Sequence, residues 1–286
     1  MEIVSPVLMV KGKSIAEVWE KSLIELWEKG CTIPTEYDMP DVPPSKDATM
    51  IMVIEEPFSE PRIHLGFPGG MEDLEKYNQE ILFGVHDHWI KPEEGKWTYT
   101  YHQRLFNYYL PETPQKTINQ IDYIIEKLSN VFYSRRAQAV TWIPSYDPKT
   151  DDPPCLQRIW CRLFSDEKGD FYLKMNAHWR SRDAYRAAFM NLFGLTEFQK
   201  YIAEKIQEKT GKKVICGQYT DIADSYHIYG NSYPDFENRF LKILKERDFY
   251  NEDRLKSRSL RSDDPVAITG FEYGKQLLKE EREKGY

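Results

Sequence analysis

Two hydrophobic periods run through this chain, and its elements lie where each one holds. From Ser14 to Lys29 the residues Ile15, Val18, Trp19, Leu23, Leu26 and Trp27 fall on one side of a 3.6-residue repeat. Ser14 is placed to cap that helix and Gly30 to stop it. The same repeat predicts helices over Met71–Gly84, with Leu74, Tyr77, Ile81 and Leu82 on one face, and over Thr117–Asn130, with Ile118, Ile121, Ile124, Ile125 and Leu128. It predicts a long helix over Asp183–Thr210, interrupted at Gly194, another over Pro234–Lys245, and a charged terminal helix over Phe271–Lys284. Two-residue alternation or short apolar runs predict strands over Met1–Gly12, Ala48–Ile54, Ala137–Ile143, Gln157–Phe164, Asp170–His178 and Lys213–Tyr229. Trp97–Tyr109 is aromatic and reads as opening with a strand, whereas Pro34–Lys46 and Pro57–Gly70, broken by proline and glycine, read as loops. Helices and strands are mixed and several strands are neighbours in sequence, which predicts an α+β fold with much antiparallel pairing. Nothing along the chain marks a domain boundary.

Composition narrows the function classes. A chain of 286 residues can bury a large core, and 19 Tyr, 14 Phe and 7 Trp supply it. The formal charge of -7 speaks against a general nucleic-acid coat while leaving room for one basic pocket, so no obligatory nucleic acid is expected. The four cysteines, Cys31, Cys155, Cys161 and Cys216, form no CxxC pair, which argues against zinc and against a thioredoxin-type site; no metal is expected. Their scatter suits a reducing, cytoplasmic setting. Neither a leader nor an apolar run long enough to span a bilayer is seen, so no membrane is expected.

The candidate chemistry centres on Asp152-Pro153-Pro154-Cys155. Two prolines keep the cysteine out of a helix interior and present it on a rigid loop. A lone cysteine is more often a small buried hydrophobe than a nucleophile. Here arginines lie on both sides, Arg135-Arg136 before and Arg180 after, and a nearby cation would bias the thiol towards thiolate. Arg180-Ser181 offers a guanidinium and a hydroxyl, which together can hold a phosphate. Asn191 offers a donor and an acceptor side by side, suited to the O4/N3 edge of uracil. His227 and Tyr229 fall on one face of a strand, where two polar tips could bond a sugar hydroxyl.

In their order and spacing these pieces resemble the thymidylate synthase family. They are Ser134-Arg135-Arg136, Pro153-Pro154-Cys155, Arg180-Ser181-x-Asp183, Asn191 and His227-x-Tyr229, and Tyr99–Arg104 resembles a degraded form of the family's Tyr-Gly-x-x-x-Arg stretch. The first half, with Glu60-Pro61-Arg62-Ile63 and Phe67-Pro68-Gly69-Gly70, is more similar to archaeal-type members. The resemblance implies one thymidylate synthase-like domain over residues 1–286, with a large mixed or antiparallel sheet flanked by helices and residues 265–286 as a carboxyl-terminal extension. It implies a methyltransferase of dTMP biosynthesis that reductively methylates dUMP. Cys155 would be the nucleophile at C6. Arg180 and Ser181 would bind the phosphate, with Arg135 and Arg136 donated across a homodimer interface. Asn191 would read the uracil, His227 and Tyr229 would hold the 3′-hydroxyl, and Asp183 would touch the pterin. The carbon donor would be 5,10-methylenetetrahydrofolate or a modified pterin. Glu80 is the choice for the glutamate that organises proton transfer, with Glu60 as its rival. Alternatives within the same fold are a pyrimidine-nucleotide hydroxymethylase and a nucleotide-binding homologue without turnover. Departures are Leu156 in place of the family's histidine after the cysteine, Ala187-Ala188-Phe189-Met190 before Asn191, and a chain that continues past Pro265-Val266-Ala267-Ile268, which resembles the family's terminal clamp.

Overall fold

A computed structural model describes residues 4–38, 40–113 and 116–284. Of the sequence expectations, the start of the first strand (1–3), one position of the first proline-rich loop (39) and the end of the carboxyl-terminal extension (285–286) lie outside the described residues.

Among the described residues eight strands build one mixed sheet. They are β1 (Val7–Gly12), β2 (Cys31–Ile33), β3 (Ser45–Ile54), β4 (Gln138–Val140), β5 (Leu156–Ser165), β6 (Phe171–Trp179), β7 (Arg182–Asp183) and β8 (Val214–Ile228). The order is β1-β3-β8-β6-β5-β4, with β2 on β3 and β7 on β8. β1 runs parallel to β3, and β8 parallel to β6 and β7; the remaining pairs are antiparallel. Alternation decides the two faces. Leu8 and Val10, Met50, Met52 and Ile54, Ile159 and Cys161, and Met175 and Ala177 point to the core. Val7, Met9, Val140, Phe164 and Tyr172 stand exposed on the other face.

Helices cover the buried face. α1 (Ile15–Lys29) starts where the Ser14 side chain accepts from the Glu17 N–H, and it ends at Gly30. Its Trp19 is fully buried and donates from Nε1 to the Ala184 carbonyl at 2.9 Å. An apolar side chain of that size contributes about 1.5–3 kcal/mol on burial. α2 (Met71–Phe83), α4 (Gln120–Asn130) and the 23-residue α5 (Ala188–Thr210) complete the layer.

Four elements differ from the sequence expectation, each for a local reason. Trp97–Tyr109 opens not as a strand but as a loop leading into α3 (Tyr101–Phe106), because Thr100 caps a helix by accepting from the Gln103 N–H. α4 begins three residues late, where Asn119 accepts from the Ile121 and Asp122 N–H groups. α5 begins at Ala188 because Arg182–Asp183 is taken into the sheet beside β8, and it runs unbroken through Gly194. The terminal helix, α6 (Pro265–Glu283), starts six residues early, capped by Asp264, so Pro265-Val266-Ala267-Ile268 is its first turn rather than a free clamp. Two glycines bring α6 onto α2. A Cβ on Gly270 would lie 2.5 Å from Met71 Cβ, and one on Gly274 would lie 2.8 Å from the Glu72 carbonyl oxygen.

Candidate active site

Cys155 stands at the entry to β5, half-buried, on a loop held from both ends. On one side Arg104 and Asp147 form a buried two-pronged pair, with Nη2–Oδ1 at 2.7 Å and Nη1–Oδ2 at 3.1 Å. Removing one member of such a pair costs about 3–5 kcal/mol. On the other side the Arg180 guanidinium donates to the carbonyls of Pro153 at 2.7 Å and Pro154 at 3.0 Å, and its Nη2 lies 3.8 Å from Cys155 Sγ. The Leu156 N–H donates to the Tyr101 hydroxyl oxygen at 3.2 Å.

The thiol is not pre-ionised as the flanking arginines suggested. Burial pushes the Cys155 thiol above the usual cysteine value; Arg180 pulls the other way and the Asp152 carboxylate adds to the rise. The reason is that burial outweighs the guanidinium, and a carboxylate stands nearby as well. The Cys161 and Cys216 thiols are each pushed up to about 12, mainly by burial.

β7 and β8 bring the next group together. Their parallel register sets Asp183 beside His227, and β3 sets Asp47 on the other side of His227. A register shift between Ala223 and Tyr226 precedes this pairing, so the bulge re-aims the end of β8. Ser225 Oγ donates to Asp47 and receives His227 Nδ1–H at 3.2 Å. Burial holds the imidazole below its usual pKa, so it is neutral, and Nε2 is left a bare acceptor, buried and without a partner among the described residues. Tyr229 packs its ring 4.5 Å from that of His227, and its hydroxyl is pushed up to about 12, by burial and then by Asp183. Asp183 spends Oδ1 on the backbone N–H groups of Tyr185 (3.0 Å) and Arg186 (2.8 Å), which turns the chain into α5. Ser181 is half-buried beside Arg180.

α2 and α5 supply the third group. Asn191 is buried and donates from Nδ2 to the Tyr77 hydroxyl at 2.9 Å. Tyr77 and Glu80, three residues apart, share a face of α2. Glu80 lines a cavity of about 760 Å³ together with Trp97, Tyr99, Tyr101, Tyr146 and Asp152, and Lys96 and Lys149 also border it. Its walls come from 80, 92–101 and 146–152, not from Asp183. Glu60, the rival glutamate, lies elsewhere: its carboxylate accepts from Ser262 and from the Arg62 N–H, fastening the 262 region.

Arg135 and Arg136 are exposed and border a groove with Gln138, Arg158, Trp160 and Asn176, a lining that includes neither Cys155 nor Arg180. Sequence reading missed Tyr77, Tyr99, Tyr101, Asp47, Ser225 and the buried Arg182–Asp221 pair, whose carboxylate also accepts from Trp179 at 3.1 Å and Tyr219 at 2.9 Å. Tyr77 had a signal, its helical spacing from Glu80. Asp47 had none, because only the β3–β8 register brings it to His227.

A family model described as thymidylate synthase matches residues 64–262. A Methanocaldococcus jannaschii protein named "Putative thymidylate synthase" is 31% identical over 240 residues, covering 82% of this chain and 96% of its own length. One of the same name from Methanococcoides burtonii is 30% identical over 238 residues, covering 83% and 94%. Among solved structures, thermostable thymidylate synthase A from Bacillus subtilis aligns with a TM-score of 0.59 at 19% identity, over 84% of this chain and 86% of its own, a likeness of fold.

Proposed function

Because the chain belongs to the thymidylate synthase family, we propose that it converts dUMP to dTMP, with Cys155 as nucleophile and a methylene-carrying reduced pterin, such as 5,10-methylenetetrahydrofolate, as co-substrate. The observation that carries this reading is the loop-held sulfur of Cys155, 3.8 Å from a guanidinium that can also meet a phosphate. The sulfur would add to C6 and make C5 nucleophilic, C5 would bond the methylene carbon and lose its proton, the pterin would depart, and hydride addition would complete the methyl group as the Cys155 sulfur leaves C6. The co-substrate would supply the methylene carbon and the hydride.

The other groups divide the binding. Arg180 keeps one terminal nitrogen for the phosphate, with Ser181 beside it. Asn191 keeps its Oδ1 and a second N–H for the uracil edge. The bare Nε2 of His227 suits a 3′-hydroxyl proton, with Tyr229 alongside. The cavity beside Glu80 fits a flat pterin: Trp97, Tyr99 and Tyr101 offer ring faces, and Lys96 and Lys149 a place for an anionic tail. Asp183 lies outside that cavity, so the pterin contact expected of it is not part of this reading. Glu80 would organise proton transfer.

The chain would work as one catalytic unit, residues 265–286 included, in a homodimer at a cytoplasmic address. The uncovered sheet face carries exposed Val7, Met9, Val140, Phe164 and Tyr172, and Arg135 and Arg136 border a groove on that side, which supports their donation to a second copy. The added positive charge would offset the burial that now holds Cys155 as a thiol.

Tritium release from [5-³H]dUMP with a methylene donor, joined to the mass of the product nucleotide, tests the reading. Release with a methyl product is expected, Cys155→Ser should abolish it with dUMP binding retained, and full activity of that variant would overturn the mechanism. Hydroxymethylation is favoured by one observation: Pro265–Ile268 is fixed in a helix and cannot fold over the site as a free end. A product heavier by one oxygen would decide for it.

A further inference from the structure

The helix carrying Glu80 ends at Gly84, whose left-handed φ of 60° turns the chain back beneath α2. That reversal brings His86 to Glu80: Nδ1 lies 3.0 Å from Glu80 Oε2. The other ring nitrogen, Nε2, faces Glu281 Oε1 of the terminal helix at 3.4 Å. Both of these atoms are buried, and among the described residues neither has a hydrogen-bond partner, so the 3.4 Å approach is a facing contact rather than a bond. His86 itself is 6% exposed and lies flat on Trp89, ring centres 3.9 Å apart and planes 10° off parallel. An imidazole stacked on its face, bonded at Nδ1 and faced by a carboxylate at Nε2 is biased towards one orientation. Of the neighbouring charged or titratable groups, His88 stands off at 6.5 Å and Asp87 is committed to Thr100 and His102.

We infer that His86 and Glu281 are positioning residues for Glu80, and that α6 thereby holds the proton-handling glutamate in place from outside the cavity. The inference rests on the functional reading above and assigns to the terminal helix a part in it. Glu80 borders the cavity, but its Oε2 is held from behind by His86. The orientation of His86 in turn depends on Glu281, which reaches it because Gly270 and Gly274 let α6 lie against α2. A carboxylate that must meet a proton at a fixed point loses rate when it swings, whereas substrate held by other groups still binds.

The test measures kcat and KM for dUMP in the full chain. His86→Phe keeps the stack on Trp89 and removes both nitrogens. It should lower kcat about tenfold or more, with KM for dUMP changed by less than about threefold. His86→Asn, which keeps an N–H near the position of Nδ1, should recover to within about threefold of wild type. Glu281→Leu should lower kcat by less than His86→Phe, and the double variant should be no slower than His86→Phe alone, since Glu281 acts through the ring. Unchanged kcat in His86→Phe, loss confined to KM, no recovery in His86→Asn, or multiplying defects in the double variant would each overturn the inference. An active wild type with an unaffected His86→Phe would sink the inference alone. An inert wild type would sink the enzymatic reading, and the inference with it.

Discussion

Asn191 on α5 and Tyr77 on α2 are joined by a 2.9 Å hydrogen bond, Nδ2 to hydroxyl, and this contact fixes how the amide faces the candidate site. One amide proton is used and the carbonyl oxygen remains. Asn191→Asp replaces a donor–acceptor pair with groups that accept from the Tyr77 hydroxyl and from a cytosine amino group. The dCMP/dUMP ratio of kcat/KM should rise about tenfold or more, in line with roughly 1–3 kcal/mol for a mispaired polar edge. Unchanged discrimination would remove Asn191 from base recognition.

Gly194 makes room for the same tyrosine. A Cβ there would lie 2.6 Å from the Tyr77 ring. Alanine gains about 1 kcal/mol in an exposed helix interior over glycine, but overpacking at a buried contact costs about 1–3 kcal/mol. Gly194→Ala should therefore lower the urea midpoint and weaken dUMP binding together. A more stable variant with normal binding would show that the α2–α5 contact is loose.

Thiol reactivity reads the balance at Cys155. Burial and Asp152 raise its pKa and Arg180 lowers it. Alkylation by iodoacetamide, mapped by mass, should rise with pH through a midpoint above the usual value of about 8.5. Asp152→Asn should speed the reaction at pH 8 and Arg180→Met should slow it, each by about two- to fivefold. Identical profiles in all three proteins would mean that neither charge reaches the sulfur.

The series Asp47, Ser225, His227 sets which imidazole nitrogen is bare. Ser225→Ala removes the acceptor for Nδ1–H and lets the other tautomer compete. KM for dUMP should rise about three- to tenfold, corresponding to a net hydrogen bond of about 1 kcal/mol. Binding of the 3′-deoxy analogue should be unaffected. An equal loss for both nucleotides would point to a folding defect instead.

Stability should fall in acid in two stages. His64 is fully buried, and burial keeps its pKa below the usual value of about 6.5 despite Glu20 at 2.8 Å. The unfolded chain therefore takes up that proton first, and stability contributed by neutral His64 is lost as pH falls below about 6.5. For Glu20, burial opposes ionisation, but the bonds from His64 and Arg258 prevail and its pKa is lowered. Its contribution is complete above the ordinary carboxylate value of about 4.3 and is lost as pH falls through the lowered one. Thermal unfolding from pH 8 to 3 should show both stages, and His64→Gln should shrink the first, the remainder belonging to buried His227. A flat curve between pH 7 and 5 in the wild type would contradict the burial argument.

Much of this was legible along the chain because it is local. Pro153-Pro154 restricts the backbone at Cys155 wherever the loop goes. Hydrophobic spacing located α1, α2 and most of the strands. The expectations that failed were boundaries. Thr100 and Asn119 cap helices where aromatic content and periodicity suggested otherwise, and Asp183 left its predicted helix for a sheet edge whose partner lies more than forty residues away. The expected pull of Arg180 towards thiolate is present but outweighed: sequence shows which charges are near in number, not how deeply the folded chain buries the sulfur.

By itself the sequence determined the period of each element, the rigid presentation of Cys155 and the order of the groups that could hold a nucleotide, since backbone restriction and side-chain chemistry are properties of short stretches. Tertiary structure alone decided that Asp47 meets His227, that Glu281 reaches toward Glu80 through His86, and that Cys155 rests as a thiol. Register, helix packing and burial couple residues that are far apart in number, and the energies that set them belong to the folded whole.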